Sequence, residues 1–231
     1  MTQTELVLDH RFNGPAGSGN GGVTSGLLAE RFDPAATVEV TLRLPPPLQT
    51  PMTIVQDGLS LQALAGTELI ATAAVVGDEL VPEPPVELSA AVAAMTRYDG
   101  MVDHPFATCF VCGTGRPAGD GLEIWAGSVT AGEPKLVASK FVARNVGLPG
   151  PVLVWAALDC PGGWSIGLVG RRAVLGRMTA RVVSTPLTDE VCVVVASCLG
   201  WQGRKAFSRS SLYGADGRLL GVAAQTWIEL R

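Results

Sequence analysis

The sequence predicts an α+β protein built from two copies of one small domain. Residues 21–30 align without a gap with residues 150–159, and in each copy a glycine-led turn opens a small apolar helix that is followed by a carboxylate, Glu30 or Asp159. The copies are about 130 residues apart, which is too far for a solenoid repeat. In each half a run of strands follows the helix, and this order favours an antiparallel sheet over alternating βαβ units.

Length and composition agree with two fused domains. The chain has 231 residues, of which 47% are hydrophobic and only 16% charged, as expected for a well-buried globular protein. This length suits one large domain or two of about a hundred residues. The prolines at 82, 84 and 85 mark a linker, and we expect an N-terminal domain at residues 1–95 and a C-terminal domain at residues 96–231.

Charge and hydropathy exclude several classes of protein. A net charge of −4 offers no basic stripe for nucleic acid. The apolar runs are short and interrupted, so we expect no membrane span. The N-terminus lacks the basic start and apolar core of a signal peptide. Five cysteines, an odd number, do not indicate a disulfide framework. We therefore expect a cytoplasmic protein.

The first half reads as one helix surrounded by short strands. The helix that begins at Gly21 should end near Phe32, because Asp33-Pro34 disfavours its continuation. Residues 37–44 alternate apolar and polar side chains, which is the pattern of a half-buried strand. The expected strands of this half are 6–12, 37–44, 52–56, 59–64 and 68–76.

The second half repeats this order with longer strands. A short helix is expected at residues 88–95, and the repeated helix at residues 151–159, where Pro161 should end or kink it. An Asp216-Gly217 turn introduces the last strand. The expected strands of this half are 122–125, 136–142, 173–183, 190–202, 205–213 and 219–230.

This element order resembles the hot-dog fold, and the duplication resembles the double hot-dog acyl-CoA thioesterases. In single-domain members of that fold the helix often opens with His-Gly-Gly, where this chain has Asn20-Gly21-Gly22. A catalytic acid follows about two turns later in those enzymes, which corresponds here to Glu30 and Asp159. The resemblance therefore implies thioester hydrolysis.

The last strand adds a second point of resemblance and one departure. Double hot-dog thioesterases keep a glutamine there after an Asp-Gly turn, which corresponds to Gln225, whereas the first half has Ala74. That family also carries an Asp on the strand after the helix and a hydroxyl residue on the next strand. We can place neither in this sequence, and residues 199–201, where the hydroxyl residue is expected, are Leu-Gly-Trp. Asp159 would have to act instead.

Two composite sites follow from the resemblance, each pairing the helix start of one copy with the acid of the other. A helix N-terminus offers free N–H groups and a positive dipole end to a developing oxyanion, and a carboxylate can act as base or nucleophile. One site contains Asn20, Gly21, Gly22, Asp159 and Gln225. The other joins Gly150 and its neighbouring proline to Glu30. Because proline has no N–H, we expect only the first site to work.

The expected substrate is an acyl-CoA or an acyl-carrier thioester. We expect its acyl chain to lie in a groove between the two helices, lined by Leu27, Leu28 and Trp155. Arg204 and Lys205 are candidates for contacts with CoA phosphates. A homodimer of the fused unit is also possible. The alternatives are a non-catalytic acyl-binding protein and, less favoured because neither helix contains histidine, a hydratase.

Two further motifs suggest other chemistry. Residues 17–22 match G-x-G-x-x-G, but they do not follow their strand directly and no further βα units continue them, so we expect no dinucleotide cofactor. Cys109 and Cys112 form a C-x-x-C pair near His104. A structural zinc site usually needs a second pair, and the possible fourth ligand Cys160 lies at a helix break, so we expect no metal.

Overall fold

The computed structural model of the chain describes residues 2–77, 79–131 and 133–230, and it contains one sheet and three α-helices within them. The helices are α1 (Gly21–Ala29), α2 (Leu88–Met95) and α3 (Gly150–Ser165). The strands are β1 (Thr2–Leu6), β2 (Val38–Leu42), β3 (Met52–Asp57), β4 (Ser60–Ala65), β5 (Glu68–Val75), β6 (Gly127–Thr130), β7 (Glu133–Val142), β8 (Ala173–Val182), β9 (Val191–Gln202), β10 (Lys205–Tyr213) and β11 (Leu219–Glu229).

The sheet confirms the predicted α+β class and its duplication. Its strand order is β1-β3-β4-β5-β2-β8-β11-β10-β9-β7-β6, and every pairing is antiparallel. Among the described residues, the strands of the two halves pair at β2 and β8, where Val40 lies opposite Met178. The expected boundary between residues 95 and 96 stays a prediction.

Helices α1 and α3 pack directly against each other, antiparallel, and glycine makes this close approach possible. A Cβ atom on Gly22 would lie 2.5 Å from Cβ of Asp159 and 2.8 Å from the carbonyl oxygen of Trp155. One turn later, a Cβ on Gly26 would lie 3.0 Å from Cα of Val152. The start of α1 therefore meets the middle of α3, which brings the two copies of the motif together.

Helix α2 covers the outer face of the second half of the sheet. Its buried Ala91 and Ala94 form a small cluster with Ala138 of β7 and Val193 of β9. These two strand residues alternate with residues of the main core, so α2 and α3 lie on opposite faces. None of the helices in the described ranges is long and apolar enough to cross a membrane.

Most predicted elements are confirmed with small shifts at their ends, but three predictions are wrong. The first strand is Thr2–Leu6, and residues 10–12 form a short 3-10 helix. Residues 122–125 are not a strand. Helix α3 does not end before Pro161 but continues to Ser165. The glycines after the proline allow the last turn to pack tightly on the sheet, because a Cβ on Gly162 would lie 2.6 Å from Oγ of Ser208.

Candidate active site

A cavity of about 470 Å³ lies at the N-terminal end of α1. Its walls come from the loop before α1, the end of β2, the start of β8 and the end of β11. Residues 104–112, from the long connection between the two halves, complete the wall. The lining is mainly apolar, with Asn20, Asp159 and Cys160 among its polar members. A cavity of this size and character suits a small organic ligand.

The first turn of α1 is held by the side chain of Asn20. Its Oδ1 accepts a hydrogen bond from the N–H of Val23 at 2.9 Å, the usual N-cap contact. Gly21 lines the cavity, and its N–H has no acceptor among the described residues. The helix start therefore presents a free donor and a positive dipole end to the cavity.

The carboxylate of Asp159 lies against this same turn, an arrangement that the resemblance to hot-dog proteins implies. Its Oδ2 accepts a hydrogen bond from the N–H of Gly22 at 2.8 Å. The side chain is buried, and Oδ1 has no hydrogen-bond partner within the part of the chain that the structure describes. One carboxylate oxygen is thus held in place while the other is buried, and Asp159 is among the residues that line the cavity.

Burial is the main influence on the acidity of Asp159. It raises the pKa of this carboxyl from 3.8 to about 7, although the N–H of Gly22 acts in the opposite direction. The neighbouring Cys109 adds to the increase. A carboxylate with a raised pKa is a stronger base than an exposed one, which is a property expected of an acid–base group.

Glu30 occupies the equivalent position in the other copy, but its surroundings differ. It caps the C-terminus of α1, is exposed, and shares a cavity of only about 110 Å³ with Pro151 and Trp155. Because Pro151 has no N–H, nothing there corresponds to the bond between Gly22 and Asp159. Gly150 packs against the side chain of Thr185. Of the predicted second site, Glu30 and Pro151 thus share a small cavity, which Gly150 does not line.

Gln225 lies on β11 in a buried hydrogen-bond network with α3. Its Nε2 donates to the carbonyl oxygen of Leu158 at 2.9 Å and to Oγ of Ser210, and its Oε1 accepts from Oγ of Ser208 at 2.9 Å. Ser210 also donates to the Leu158 carbonyl, at 2.7 Å. These donors satisfy a carbonyl in the turn before Pro161. Gln225 does not line the large cavity.

Sequence reasoning missed the two hydroxyl partners of Gln225. They lie on β10, where Ser208 is directly opposite Gln225, and not on β9, where residues 199–201 were considered. Counting back from the Asp216-Gly217 turn gives this register to within one residue. The position of this turn was therefore enough to predict that Ser208 lies opposite Gln225.

Three buried cysteines meet beside Asn20. The Sγ atoms of Cys109, Cys112 and Cys160 all lie within 4.8 Å of one another, and those of Cys109 and Cys160 are 3.7 Å apart. Hydrogen bonds from the thiols of Cys112 and Cys160 lower the pKa of Cys109. The amide Nδ2 of Asn20 is 3.7 Å from Sγ of Cys109 and 3.9 Å from that of Cys160. Cys160, set aside because of the helix break, thus joins the C-x-x-C pair.

His104 lies beside this cluster with both ring nitrogens engaged. Its Nδ1 accepts from the N–H of Phe106 at 3.0 Å, so Nε2 carries the proton and donates to the carbonyl oxygen of Cys112 at 3.0 Å. Burial lowers the pKa of His104. The neutral ring therefore supports the loop.

The prediction of an acyl-binding groove between the two helices is wrong. Helices α1 and α3 are in contact at Gly22 and Gly26 of α1. Three predicted lining residues do not line the large cavity: Leu27, Leu28 and Trp155. Leu28 is fully buried in the core, and Trp155 packs against Gly26.

The two basic residues predicted to contact CoA phosphates lie near the cavity without lining it. Arg204 and Lys205 are exposed in the turn between β9 and β10, beside the end of β11 whose Ile228 and Leu230 form part of the wall. Their contact with phosphates stays a prediction. Sequence reasoning missed Arg43, an exposed residue that does line the cavity and that directly follows β2.

Comparison with solved structures supports the hot-dog architecture. A protein with a hot-dog fold from Alicyclobacillus acidocaldarius superposes with a TM-score of 0.58 at 12% identity, covering 99% of this chain and 93% of that one. An acyl-CoA thioesterase II, TesB2, from Mycobacterium marinum gives a TM-score of 0.58 at 13% identity with the same coverage of 99% and 93%. The chain therefore has two fused hot-dog domains, as the sequence predicts.

A third similar structure has a different activity. The dehydratase domain of PpsC from Mycobacterium tuberculosis, solved in complex with C12:1-CoA, has a TM-score of 0.58 at 17% identity and again covers 99% of this chain and 93% of its own. No protein-family model and no curated protein matches the sequence. At these identities the likeness concerns the fold, and the function has to be argued from the site.

Proposed function

We propose that this chain hydrolyses acyl thioesters, most simply acyl-CoA, in the cavity at the start of α1. One observation carries the proposal: the buried Asp159, which is among the residues lining the cavity, is fixed by the Gly22 N–H through one oxygen, while its other oxygen has no hydrogen-bond partner among the described residues. A carboxylate in this state can activate a water molecule or attack a carbonyl carbon. The adjoining N–H of Gly21 is the donor for the oxyanion.

In the proposed reaction the thioester carbonyl oxygen accepts a hydrogen bond from Gly21. Oδ1 of Asp159 removes a proton from a water molecule, and the resulting hydroxide attacks the carbonyl carbon. The carbon–sulfur bond then breaks, the thiol sulfur takes up the proton from Asp159, and the free acid and thiol are released. Asn20 acts as a positioning residue, because its Oδ1 caps the helix that carries the donor.

Two features support an acyl-CoA substrate. The cavity of about 470 Å³ has a mainly apolar lining that suits an acyl chain. The exposed Arg43, Arg204 and Lys205 at or near the cavity are suited to CoA phosphates. A similar structure also holds an acyl-CoA. Dehydration, the activity of that domain, is less favoured here because both ring nitrogens of His104 are engaged.

The paired acids of the two copies give a matched test. We expect Asp159→Asn to reduce the turnover of acyl-CoA by about 100-fold or more, since this is the usual contribution of an acid–base group. Glu30→Gln, the same change at the equivalent position, should stay within about twofold of the original chain, because Glu30 is exposed and bonded to no helix N–H. Release of free CoA thiol from a panel of acyl chain lengths provides the assay.

The outcomes separate the candidate functions. Equal losses in both variants, or a loss only in Glu30→Gln, would reject the assignment of the site. Tight binding of acyl-CoA without turnover by the original chain would identify an acyl-binding protein instead. Circular dichroism of each variant verifies that the fold is retained.

A further inference from the structure

We propose that Cys109, Cys112 and Cys160 form a binding site for a zinc-class metal ion in the wall of the large cavity. The proposal does not depend on thioester hydrolysis. It starts from three thiols that the fold gathers from two distant parts of the chain, the loop between the halves and the middle of α3.

The spacing of the sulfur atoms fits a tetrahedral ion. Two thiolates bound at about 2.3 Å from one zinc ion lie about 3.8 Å apart. Sγ of Cys109 and Sγ of Cys160 are already 3.7 Å apart. The remaining separations are at most 4.8 Å, so small side-chain rotations would complete the triangle.

The loop around the C-x-x-C pair is built to hold these sulfurs. Gly113 follows Cys112 directly, and a Cβ there would lie 2.5 Å from the carbonyl oxygens of Ala107 and Cys109, so the loop requires glycine at this point. The Tyr98 hydroxyl donates to the carbonyl oxygen of Cys112 at 2.8 Å, and His104 donates to the same oxygen. The second cysteine is therefore fixed by two side chains.

The surroundings favour thiolates over a disulfide. The amide of Asn20 is directed toward two of the sulfurs and can donate to thiolates. A disulfide would join only two of the three cysteines and would leave the third as a buried thiol. A metal ion uses all three, with release of the remaining thiol protons on binding.

The fourth coordination position would be open. Among the described residues, no other His, Cys, Asp or Glu places a ligand atom within 4.8 Å of all three sulfur atoms. Both nitrogens of His104 are already hydrogen-bonded. Because all three cysteines line the cavity, the open position would face it and take a water molecule or a ligand from the cavity. Three protein ligands with an open position are typical of reactive rather than purely structural zinc sites.

Metal analysis of the purified full chain tests the proposal. After expression with added zinc and dialysis against metal-free buffer, we expect elemental mass spectrometry to find close to one zinc ion per chain. Cys109→Ser and Cys160→Ser should each lower the zinc content by about tenfold or more, since each removes a thiolate ligand. Cys198→Ser should keep it, because Cys198 lies on β9 outside the cluster.

Cobalt gives a readout that does not need the variants to fold. Replacement of zinc by Co²⁺ in the original chain should produce thiolate-to-cobalt charge-transfer absorption and the visible bands of a tetrahedral site. Less than about a tenth of a metal ion per chain with either metal, or full zinc retention in Cys160→Ser, would overturn the proposal. A disulfide among the three cysteines in the purified protein, found by peptide mass analysis, would overturn it as well.

Discussion

Replacement of Gly22 by alanine should weaken the contact on which the candidate site is built. The new Cβ would lie 2.5 Å from Cβ of Asp159, 2.8 Å from the carbonyl oxygen of Trp155 and 3.1 Å from Cα of Ala156. Two of these atoms belong to the backbone of α3, so rotation of a side chain cannot relieve the overlap. The helices must separate, and the hydrogen bond from Gly22 to Asp159 must lengthen.

The magnitude follows from three contributions. Overpacking against a rigid neighbour costs about 3 kcal/mol, at the upper end of its usual range. Weakening a hydrogen bond to a charged group costs about 1.5 kcal/mol, and the greater helix propensity of alanine offsets about 1 kcal/mol. The free energy of unfolding should therefore fall by about 3–4 kcal/mol. In a chain of this size that corresponds to a decrease in Tm of about 6–16 °C.

Gly21→Ala is the matched control for stability. It lies in the same helical turn, but the three atoms nearest to its Cβ would all belong to the side chain of Leu175, and the nearest of them, Cδ2 at 2.8 Å, can move. We expect a loss of about 1 kcal/mol or less there, with urea unfolding midpoints compared at unchanged m-value. The reasoning is refuted if Gly22→Ala is as stable as Gly21→Ala, because the approach of the two helices would then not be as close as described.

Two further predictions concern stability. Gln225→Met should lower the free energy of unfolding by about 2–4 kcal/mol in urea titrations, because it removes the buried hydrogen bonds of Gln225 and leaves the hydroxyl of Ser208 without its acceptor. An unchanged midpoint would contradict the network. The ion pair with Arg218 lowers the pKa of Glu190 in the folded protein. The ionised glutamate therefore stabilises the fold above its ordinary pKa of 4.5, and this stabilisation is lost as the pH falls through the lower pKa of the folded state. Glu190→Gln should therefore be less stable than the original chain at pH 7 and converge with it in strong acid; a constant difference down to acid pH would argue against the pair.

The resemblance to hot-dog proteins predicted that Gly22 and Asp159 share one site, and the symmetry of the duplication relates this pair to a second one. When two copies of a helix pack about a two-fold axis, a position in one copy meets a fixed position in the other. The alignment of the copies equates Gly22 with residue 151 and Glu30 with Asp159, so a contact between Gly22 and Asp159 implies one between residue 151 and Glu30. Both pairs are brought together, the first by a hydrogen bond and the second in a small cavity.

The cysteine cluster was not predictable from spacing. Cys160 is far along the chain from the C-x-x-C pair, and Pro161 suggested a helix break beside it. The helix nevertheless continues to Ser165, and Ser210 and Gln225 of the sheet both donate to the carbonyl oxygen of Leu158 in the turn before the proline. Local propensity thus lost to tertiary hydrogen bonds, which a single sequence does not reveal.

The two helix starts show why only one copy should keep a reactive site. At the start of α3, Pro149 provides no capping side chain and Pro151 provides no N–H. These prolines stabilise the turn by restricting the unfolded chain, but they remove the donors that an oxyanion needs. At the start of α1, an asparagine caps the turn and two glycines keep their N–H groups, one of them bound to Asp159. The start of α1, which has no proline, is therefore the one whose helix dipole and amides can act on a ligand. Helix α3 provides the acid, Asp159.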